Sequence, residues 1–272
     1  MNAGVKALSL LASTGFYVAA SQPSFSLEGS LTQGALIRGK TQPGVEVFFN
    51  GKALAVTNDG KFVFGVGRDA PLQHNLTLQQ GDVKQQHTLS ITKRDYDIQY
   101  VNGVAQKYVT PPAEVTERIK RDNAKVKQAR SVVSDLTYIF DTPAMPANGR
   151  ISGVYGSQRV FNGEPRNPHY GLDVAAPVGA KVVAPLSGTV VLAEDLYYSG
   201  LTMIIDHGYG INSTFMHLSK FDVKVGDQVK QGDKIGEVGA TGRVTGPHLD
   251  WRINWQQERL APALLPGLVI PQ

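Results

Sequence analysis

Short alternating runs, interrupted by glycine, asparagine and aspartate, dominate this chain on both sides of one helical stretch. Residues 45–49 end at Asn50-Gly51, and residues 61–64 follow Asn58-Asp59-Gly60. An Asn-Gly or Asp-Gly pair beside such runs is a strong hairpin signal, because these residues tolerate positive φ. Helical periodicity is scarce elsewhere. The sequence therefore predicts an all-β fold that is mainly antiparallel.

The turn signals and composition shifts divide the chain into regions. The predicted order is a signal peptide (1–20), an immunoglobulin-like β-sandwich (22–96), a linker (97–148) with a helix at about 112–134, a second β domain (149–258) and a C-terminal tail (259–272).

The first 20 residues predict export. Lys6 supplies a positive charge before residues 7–20, which are mostly apolar but short for a bilayer span. Residues 18–20 (Val-Ala-Ala) are small enough for a signal peptidase. We expect cleavage there and export to the periplasm. An uncleaved segment would anchor the protein to the membrane, and a buried N-terminal helix is the structural alternative.

The helical stretch begins at Thr110-Pro111-Pro112, since Thr is a good N-cap and Pro is tolerated in the first turn. Lys and Arg crowd most of its surface, which predicts a solvated connector helix. The apolar residues near its remaining face are Val115, Ile119, Val126 and Val133.

Composition excludes several classes of protein. The chain has no cysteine, which rules out thiolate metal sites, disulfide frameworks and cysteine nucleophiles. Its net charge of +4 comes without the dense Lys/Arg tracts of nucleic-acid-binding proteins. No nucleic-acid partner is therefore expected. The sequence does not specify the oligomeric state, and a monomer is the default expectation.

Candidate metal ligands stand in the motif His169-Tyr170-Gly171-Leu172-Asp173. In an extended strand, residues 169, 171 and 173 lie on one face, and Gly171 places only a hydrogen between the two ligand types. A His–Asp hydrogen bond in a turn is the alternative interpretation of this pair.

A second motif, at residues 248–255, alternates strictly. Its polar face carries His248, Asp250, Arg252 and Asn254, and its apolar face carries Leu249, Trp251, Ile253 and Trp255. We expect the apolar face to pack into the core and the polar face to line a groove. A half-buried strand explains the alternation, but it does not explain a His and an Asp together on the polar face. A third motif ends a strand-like run at His217.

These motifs, in this order, resemble the lysostaphin/LytM-type zinc endopeptidases from about residue 149 to residue 255. The matching segments are PHYGLDVAAPVGAKVVAP, IIDHGYGINSTFMHLS and VKVGDQVKQGDKIGEVGATGRVTGPHLDWRI. The resemblance implies that His169 and Asp173 bind zinc and that His217 and His248 are catalytic. It assigns no ligand position to His207.

The last motif departs from the family pattern of His-x-His, because Asp250 stands where the third zinc ligand is usually a histidine. An Asp oxygen also binds zinc, so His169, Asp173 and Asp250 are predicted to hold one ion with a position left open for water. The second carboxylate adds negative charge, which moves the preference toward harder cations such as Mn²⁺.

The resemblance implies an exported zinc-dependent endopeptidase that hydrolyses peptide bonds of peptidoglycan, in cross-links or stems. In that mechanism His217 and His248 flank a metal-activated water, one deprotonating it and the other stabilising the oxyanion. The alternative is a catalytically weak or inactive LytM-like regulator that binds and activates other cell-wall hydrolases, or associates with divisome-type proteins. A lipoyl-type carrier is a more distant alternative, because residues 223–239 share its turn spacing but offer no Lys in the required setting.

Overall fold

The fold is described from a computed structural model, in which residues 22–101 and 113–271 are described. The predicted signal peptide and the predicted cap Thr110 lie outside these ranges. Among the described residues, no helix combines the length and the apolar character needed to cross a membrane.

Seven strands form the N-terminal region: β1 (Phe25–Glu28), β2 (Leu36–Thr41), β3 (Glu46–Phe49), β4 (Lys52–Ala53), β5 (Lys61–Gly65), β6 (Gln73–Gln80) and β7 (Val83–Ser90). They make two antiparallel sheets, ordered β1-β2-β5 and β4-β3-β6-β7. Phe62 and Phe64 of one sheet share an apolar core with Leu76 and Leu78 of the other. The β-sandwich prediction is therefore confirmed.

The hairpin between β3 and β4 forms where the sequence predicts it. Asn50 and Gly51 have φ values of 49° and 78°. Two successive positive φ values are what a type I′ turn requires, and this turn matches the twist of the strands that it joins.

The C-terminal region is built on a large sheet. Its strands are β9 (Arg150–Gly153), β12 (Leu172–Ala175), β13 (Lys181–Val183), β14 (Gly188–Leu196), β15 (Gly200–Gly208), β16 (Ile211–Phe221), β17 (Gln228–Val229), β18 (Lys234–Val238), β19 (His248–Trp255) and β20 (Glu258–Leu260). The main order is β17-β14-β15-β16-β19-β12-β9, with β18 joining β13 to β16 and β20 beside β19. Every pair in this sheet is antiparallel.

A fourth, small sheet joins β8 (Ile98–Val101), β10 (Gln158–Phe161) and β11 (Glu164–Pro165). β8 runs parallel to β10, although the residues of β8 fall within the predicted linker. The prediction of a mainly antiparallel all-β fold is confirmed, with this parallel pair as an addition that strand spacing alone cannot indicate.

The helix α1 (Thr116–Arg130) follows a short 3-10 turn at Ala113–Val115 and ends four residues before the predicted limit of 134. It is not a solvated connector, because one of its faces lies on the large sheet. Val126 and Ala129 pack against Leu192 of β14 and Ile204 of β15. The solvated helix is predicted from the many basic residues of this segment. These residues lie mainly on the faces turned away from the sheet, so they do not prevent the apolar face from packing on it.

The N-terminal and C-terminal regions are packed together. Leu36 and Val63 of the sandwich belong to the same apolar cluster as Leu260 of β20. Ile139, in the predicted linker, and Leu265, in the predicted tail, are buried in that cluster as well. The domain limits at 96, 148 and 258 stay predictions, because one core continues across them.

Candidate metal centre and active site

The three predicted ligands lie together beside the paired strands β12 and β19 of the large sheet. Asp173 of β12 stands directly opposite Asp250 of β19, and His169 precedes β12. One ligand atom from each residue lies within 4.8 Å of the others. Their ligation of a metal stays a prediction, but the fold places all three where one ion could contact them.

His169 reaches this cluster from a loop. The predicted extended run from 169 to 173 is wrong in that respect, since β12 begins only at Leu172. The loop is fixed by its own hydrogen bonds. The Gly156 N–H donates to the His169 carbonyl at 2.7 Å, and the His169 N–H donates to the Ser157 carbonyl at 2.8 Å.

The contacts between His169 and Asp173 fit a divalent cation. Nε2 of His169 lies 3.2 Å from Oδ1 of Asp173, yet neither buried atom has a hydrogen bond within the described part of the chain. Two ligands on one tetrahedral zinc are separated by roughly 3.4 Å, given bonds of about 2.0–2.2 Å. Burial acts to lower the pKa of His169, but the Asp173 and Asp250 carboxylates outweigh it and raise that pKa. A cation would take the place of the proton that these carboxylates attract.

Two glycines make room for the carboxylates. A side chain at Gly171 would collide with Oδ1 of Asp250, and one at Gly153 would collide with Oδ2 of Asp173. Gly171 thus leaves only a hydrogen beside the carboxylate, as its place between His169 and Asp173 in the sequence predicts. At both positions the backbone lies so close to a carboxylate oxygen that only glycine fits.

Asp250 is paired with Arg252, its neighbour on the same face of β19. The Arg252 Nε donates to Oδ1 at 2.9 Å, and its Nη2 donates to Oδ2 at 2.6 Å. Asp250 is only 3% exposed. Burial alone would raise the pKa of this carboxyl, but Arg252 holds it well below its usual value. Oδ2 also accepts from Nε at 3.1 Å, but Oδ1 accepts one bond and keeps a further lone pair, so this ion pair is compatible with metal binding.

His217 lies in an unusual backbone conformation. Its φ is +64°, and β16 carries one extra residue there relative to β15, because Leu201 faces Leu218 while Met203 faces Phe215. Such a bulge turns a side chain away from the regular alternation. Positive φ in a residue other than glycine costs energy and is common at functional sites. The bulge therefore supports a functional role for His217.

His217 and His248 form a pair beside the metal cluster. Their ring centroids are 4.9 Å apart, and Nε2 of His248 is 4.0 Å from Oδ1 of Asp173. Nδ1 of His217 bonds the Thr241 carbonyl at 2.9 Å, and Nδ1 of His248 bonds the Gly246 carbonyl at 2.9 Å. A carbonyl only accepts, so both Nδ1 atoms must carry hydrogen and both Nε2 atoms are free to accept a proton.

His207 contrasts with this pair. It is fully buried, and its nitrogens bond the Ser187 carbonyl and the Ser213 hydroxyl. Burial lowers its pKa to about 4. Both nitrogens therefore already have partners within the protein, unlike the Nε2 atoms of His217 and His248.

The sequence places Arg252 on the polar face of β19 but does not predict its ion pair with Asp250, and it does not place Arg130 near the site. The Arg252–Asp250 ion pair could have been expected, because residues two apart share a strand face. Arg130 had no such signal. It comes from the last turn of α1, and its Nη2 lies 3.5 Å from the Thr214 hydroxyl, opposite Arg252 in the sheet. Only the docking of the helix brings it here.

Comparison with known proteins agrees with this geometry. Residues 167–262 match the family model described as Peptidase family M23. A segment of 115 residues, 42% of this chain, is 40% identical to the peptidoglycan DD-endopeptidase ShyA of Vibrio cholerae. Another of 100 residues, 36% of this chain, is 39% identical to the DD-carboxypeptidase/endopeptidase Mpg of Neisseria meningitidis. The resemblance to lysostaphin/LytM-type peptidases is confirmed.

The extent of these similarities differs. The chain spans 27% of the length of ShyA and 23% of the length of Mpg. A crystal structure of a Pseudomonas aeruginosa protein assigned to peptidase M23 matches far more widely, with 29% identity and a TM-score of 0.68. That match covers 88% of this chain and 96% of the other. The sandwich, the helix and the large sheet therefore recur together in another protein.

Proposed function

Residues 167–262 of this chain form a domain of peptidase family M23, and we propose on this premise that the protein is an exported zinc-dependent endopeptidase of peptidoglycan. The names of ShyA and Mpg support peptide bonds of the cross-links as its substrate. Peptidoglycan lies outside the cytoplasm, which agrees with the predicted signal peptide.

The observation that carries this proposal is the position of a histidine pair beside a ligand cluster. His169, Asp173 and Asp250 supply nitrogen and oxygen donors within 4.8 Å of one another. His217 and His248 lie next to them with both Nε2 atoms available. Three protein ligands with an open position are typical of catalytic zinc sites.

A bound divalent cation would supply Lewis acidity toward the scissile carbonyl and toward water. The chain's own contribution is proton transfer. The carbonyls of Thr241 and Gly246 hold His217 and His248 in the tautomer whose Nε2 accepts a proton. Burial lowers the pKa of His217, although its bond to the Thr241 carbonyl acts to raise it. His217 therefore remains neutral, and able to act as a base, near neutral pH.

Arg252 supports zinc as the metal. The sequence alone predicts that a second carboxylate favours harder cations, because it adds a negative charge. The bidentate ion pair with Arg252 balances that charge. The ligand set of His169, Asp173 and the Asp250–Arg252 pair then has the same net charge as two histidines and one aspartate.

The proposal is tested by incubating the metal-loaded full chain with purified peptidoglycan and identifying the released fragments by mass spectrometry. We expect cleaved cross-link peptides from the wild type and none from His217→Ala, which should keep its metal. His87→Ala is the matched control, because His87 lies on β7 of the sandwich. If the metal-loaded wild type releases no peptide fragments when it is the only protein present, the proposal is contradicted. That result would favour the alternative of a regulator that activates other cell-wall hydrolases.

A further inference from the structure

A cavity of about 280 Å³ opens between helix α1 and the large sheet, next to His217. Its lining is strongly basic. One carboxylate, that of Asp122, contributes to it, together with four arginines: Arg130, Arg243, Arg252 and Arg259.

Most of this positive charge has no partner. Arg252 is paired with Asp250, but Arg130, Arg243 and Arg259 have no ion pair with any residue in the ranges that the structure describes. The Asp122 carboxylate is directed elsewhere, since it accepts the Tyr197 N–H at 2.8 Å.

Arg130 is the most unusual of the four. It is 6% exposed, and its Nε has no hydrogen-bond partner among the described residues. Its Nη2 makes one long contact, to the Thr214 hydroxyl at 3.5 Å. A buried guanidinium without a counter-ion is unfavourable and is rarely retained unless an anion completes the site. In agreement, burial and the charges of Arg252 and Arg259 lower the pKa of Arg130 to about 9.

Two further arginines are held by aromatic rings. The Arg243 guanidinium lies 4.6 Å from the ring centre of Tyr198, and that of Arg259 lies 4.3 Å from the ring centre of Tyr170. Stacking on a ring leaves the edge of the guanidinium, with its N–H donors, free for an anion.

We propose that this cavity binds a carboxylate of the substrate peptide, with Arg130 as its main contact. A planar guanidinium matches a carboxylate through two parallel hydrogen bonds. Because His217 itself lines the cavity, the carboxylate would belong to a residue close to the bond that is cut. This inference rests on the proposed function and specifies its substrate as an acidic peptide.

The test compares two forms of one dimeric muropeptide, the free acid and the same dimer with its carboxylates amidated. Wild-type enzyme should cleave the free acid with a kcat/KM about 10- to 100-fold higher, as expected for hydrogen bonds to a charged group. Arg130→Met should remove this preference mainly by raising KM for the free acid. Arg130→Lys should retain part of it.

Arg121→Met is the matched control, because Arg121 is exposed on the same helix and should leave the preference unchanged. Thermal melting verifies that the Arg130 variants are folded. Dimers amidated only at the C-terminal carboxylate, or only at side-chain carboxylates, identify which of the two groups is bound.

Equal cleavage of both dimers by the wild type, or an unchanged preference in Arg130→Met, would overturn the inference while leaving the proposed function intact. If neither dimer is cleaved, the proposed function fails. Calorimetric binding of the two dimers to the metal-loaded wild type then decides the inference separately. Tighter binding of the free acid, lost in Arg130→Met, supports the cavity site, and equal binding refutes it.

Discussion

Buried polar side chains serve different purposes in the N-terminal sandwich and in the C-terminal sheet. In the sandwich, Arg68 donates from Nε and Nη2 to the Gly156 carbonyl at 3.1 and 2.9 Å. Arg38 donates to the Asp141 carbonyl at 2.6 Å. Each of these arginines crosses to backbone of the linker or of the C-terminal region and attaches the two parts of the molecule.

In the C-terminal sheet, several polar groups face one another instead. His169 and Asp173 meet without a hydrogen bond, and His217 lies against His248. Buried polar atoms that lack partners are unusual in native structures and point to an ion or a reacting group. Unused donors and acceptors alone do not identify a site, because Nε of Arg38 and Nε2 of His74 and His87 in the sandwich also lack partners among the described residues. What distinguishes the C-terminal sheet is that ligand atoms of His169, Asp173 and Asp250 converge within 4.8 Å of one another.

The largest expected effect is on catalysis. His248→Ala should reduce peptidoglycan hydrolysis by about 10²- to 10⁴-fold, the usual contribution of a positioned acid or base. Its metal content should stay that of the wild type, because His248 is not among the predicted ligands. Fragment release and metal analysis on one preparation measure both. Undiminished hydrolysis would show that the histidine pair does not belong to the site.

A second prediction separates structural from catalytic histidines within the large sheet. The pKa of His207 is lowered to about 4, so the unfolded chain binds a proton between pH 6.5 and 4 while the folded chain does not. The stability that this group contributes is present above pH 6.5 and is lost as the pH falls toward 4. The loss is on the order of 3 kcal/mol.

His207→Gln should therefore weaken the acid sensitivity of the free energy of unfolding. Urea titrations of wild type and variant at pH 7 and pH 4.5 measure this, since other titrating groups cancel in the difference. Parallel pH profiles for the two proteins would argue against a neutral buried His207.

The third prediction concerns the attachment of the N-terminal sandwich to the C-terminal region through Arg68. Arg68→Met should lower the free energy of unfolding by about 1–3 kcal/mol, because the buried Gly156 carbonyl loses its donors. Hydrolysis by the folded fraction should not change. Arg121→Met serves as the exposed control. A drop in activity without a drop in stability would mean that the sandwich takes part in catalysis.

The smallest expected effect lies on the outer side of the helix. Lys125 bonds Glu194 at 3.0 Å, and about half of each side chain is exposed. Lys125→Ala should change the free energy of unfolding by at most about 0.5 kcal/mol. Denaturant unfolding measures this. A larger loss would show that surface charge, rather than the buried face with Val126 and Ala129, holds α1 on the sheet.

Much of the site follows from spacing along single strands. The period of two in an extended strand is enough to place His248, Asp250 and Arg252 on one face. The bulge at His217 and the loop that carries His169 do not follow, because both depend on hydrogen bonds to distant segments. Arg130 is the clearest limit, since the sequence marks α1 as basic but does not indicate which arginine turns toward the sheet.

The charge of the metal site shows the same limit. The sequence indicates two carboxylates and, from them, a preference for harder cations. The ion pair of Asp250 with Arg252 depends on side-chain conformation, which strand periodicity leaves open. The sequence therefore predicts which residues share a strand face, but it does not predict the net charge of the metal ligands, which depends on the ion pair.

The central claim is that His169, Asp173 and Asp250 hold one divalent metal ion, and metal stoichiometry tests it most directly. Wild type and His87→Ala, loaded with zinc and passed through a desalting column, should retain about one ion per chain. Asp250→Asn, which keeps the shape of the side chain, should retain much less, and so should His169→Ala, with a cooperative melt verifying that each variant is folded. Full zinc retention in Asp250→Asn would contradict the claim.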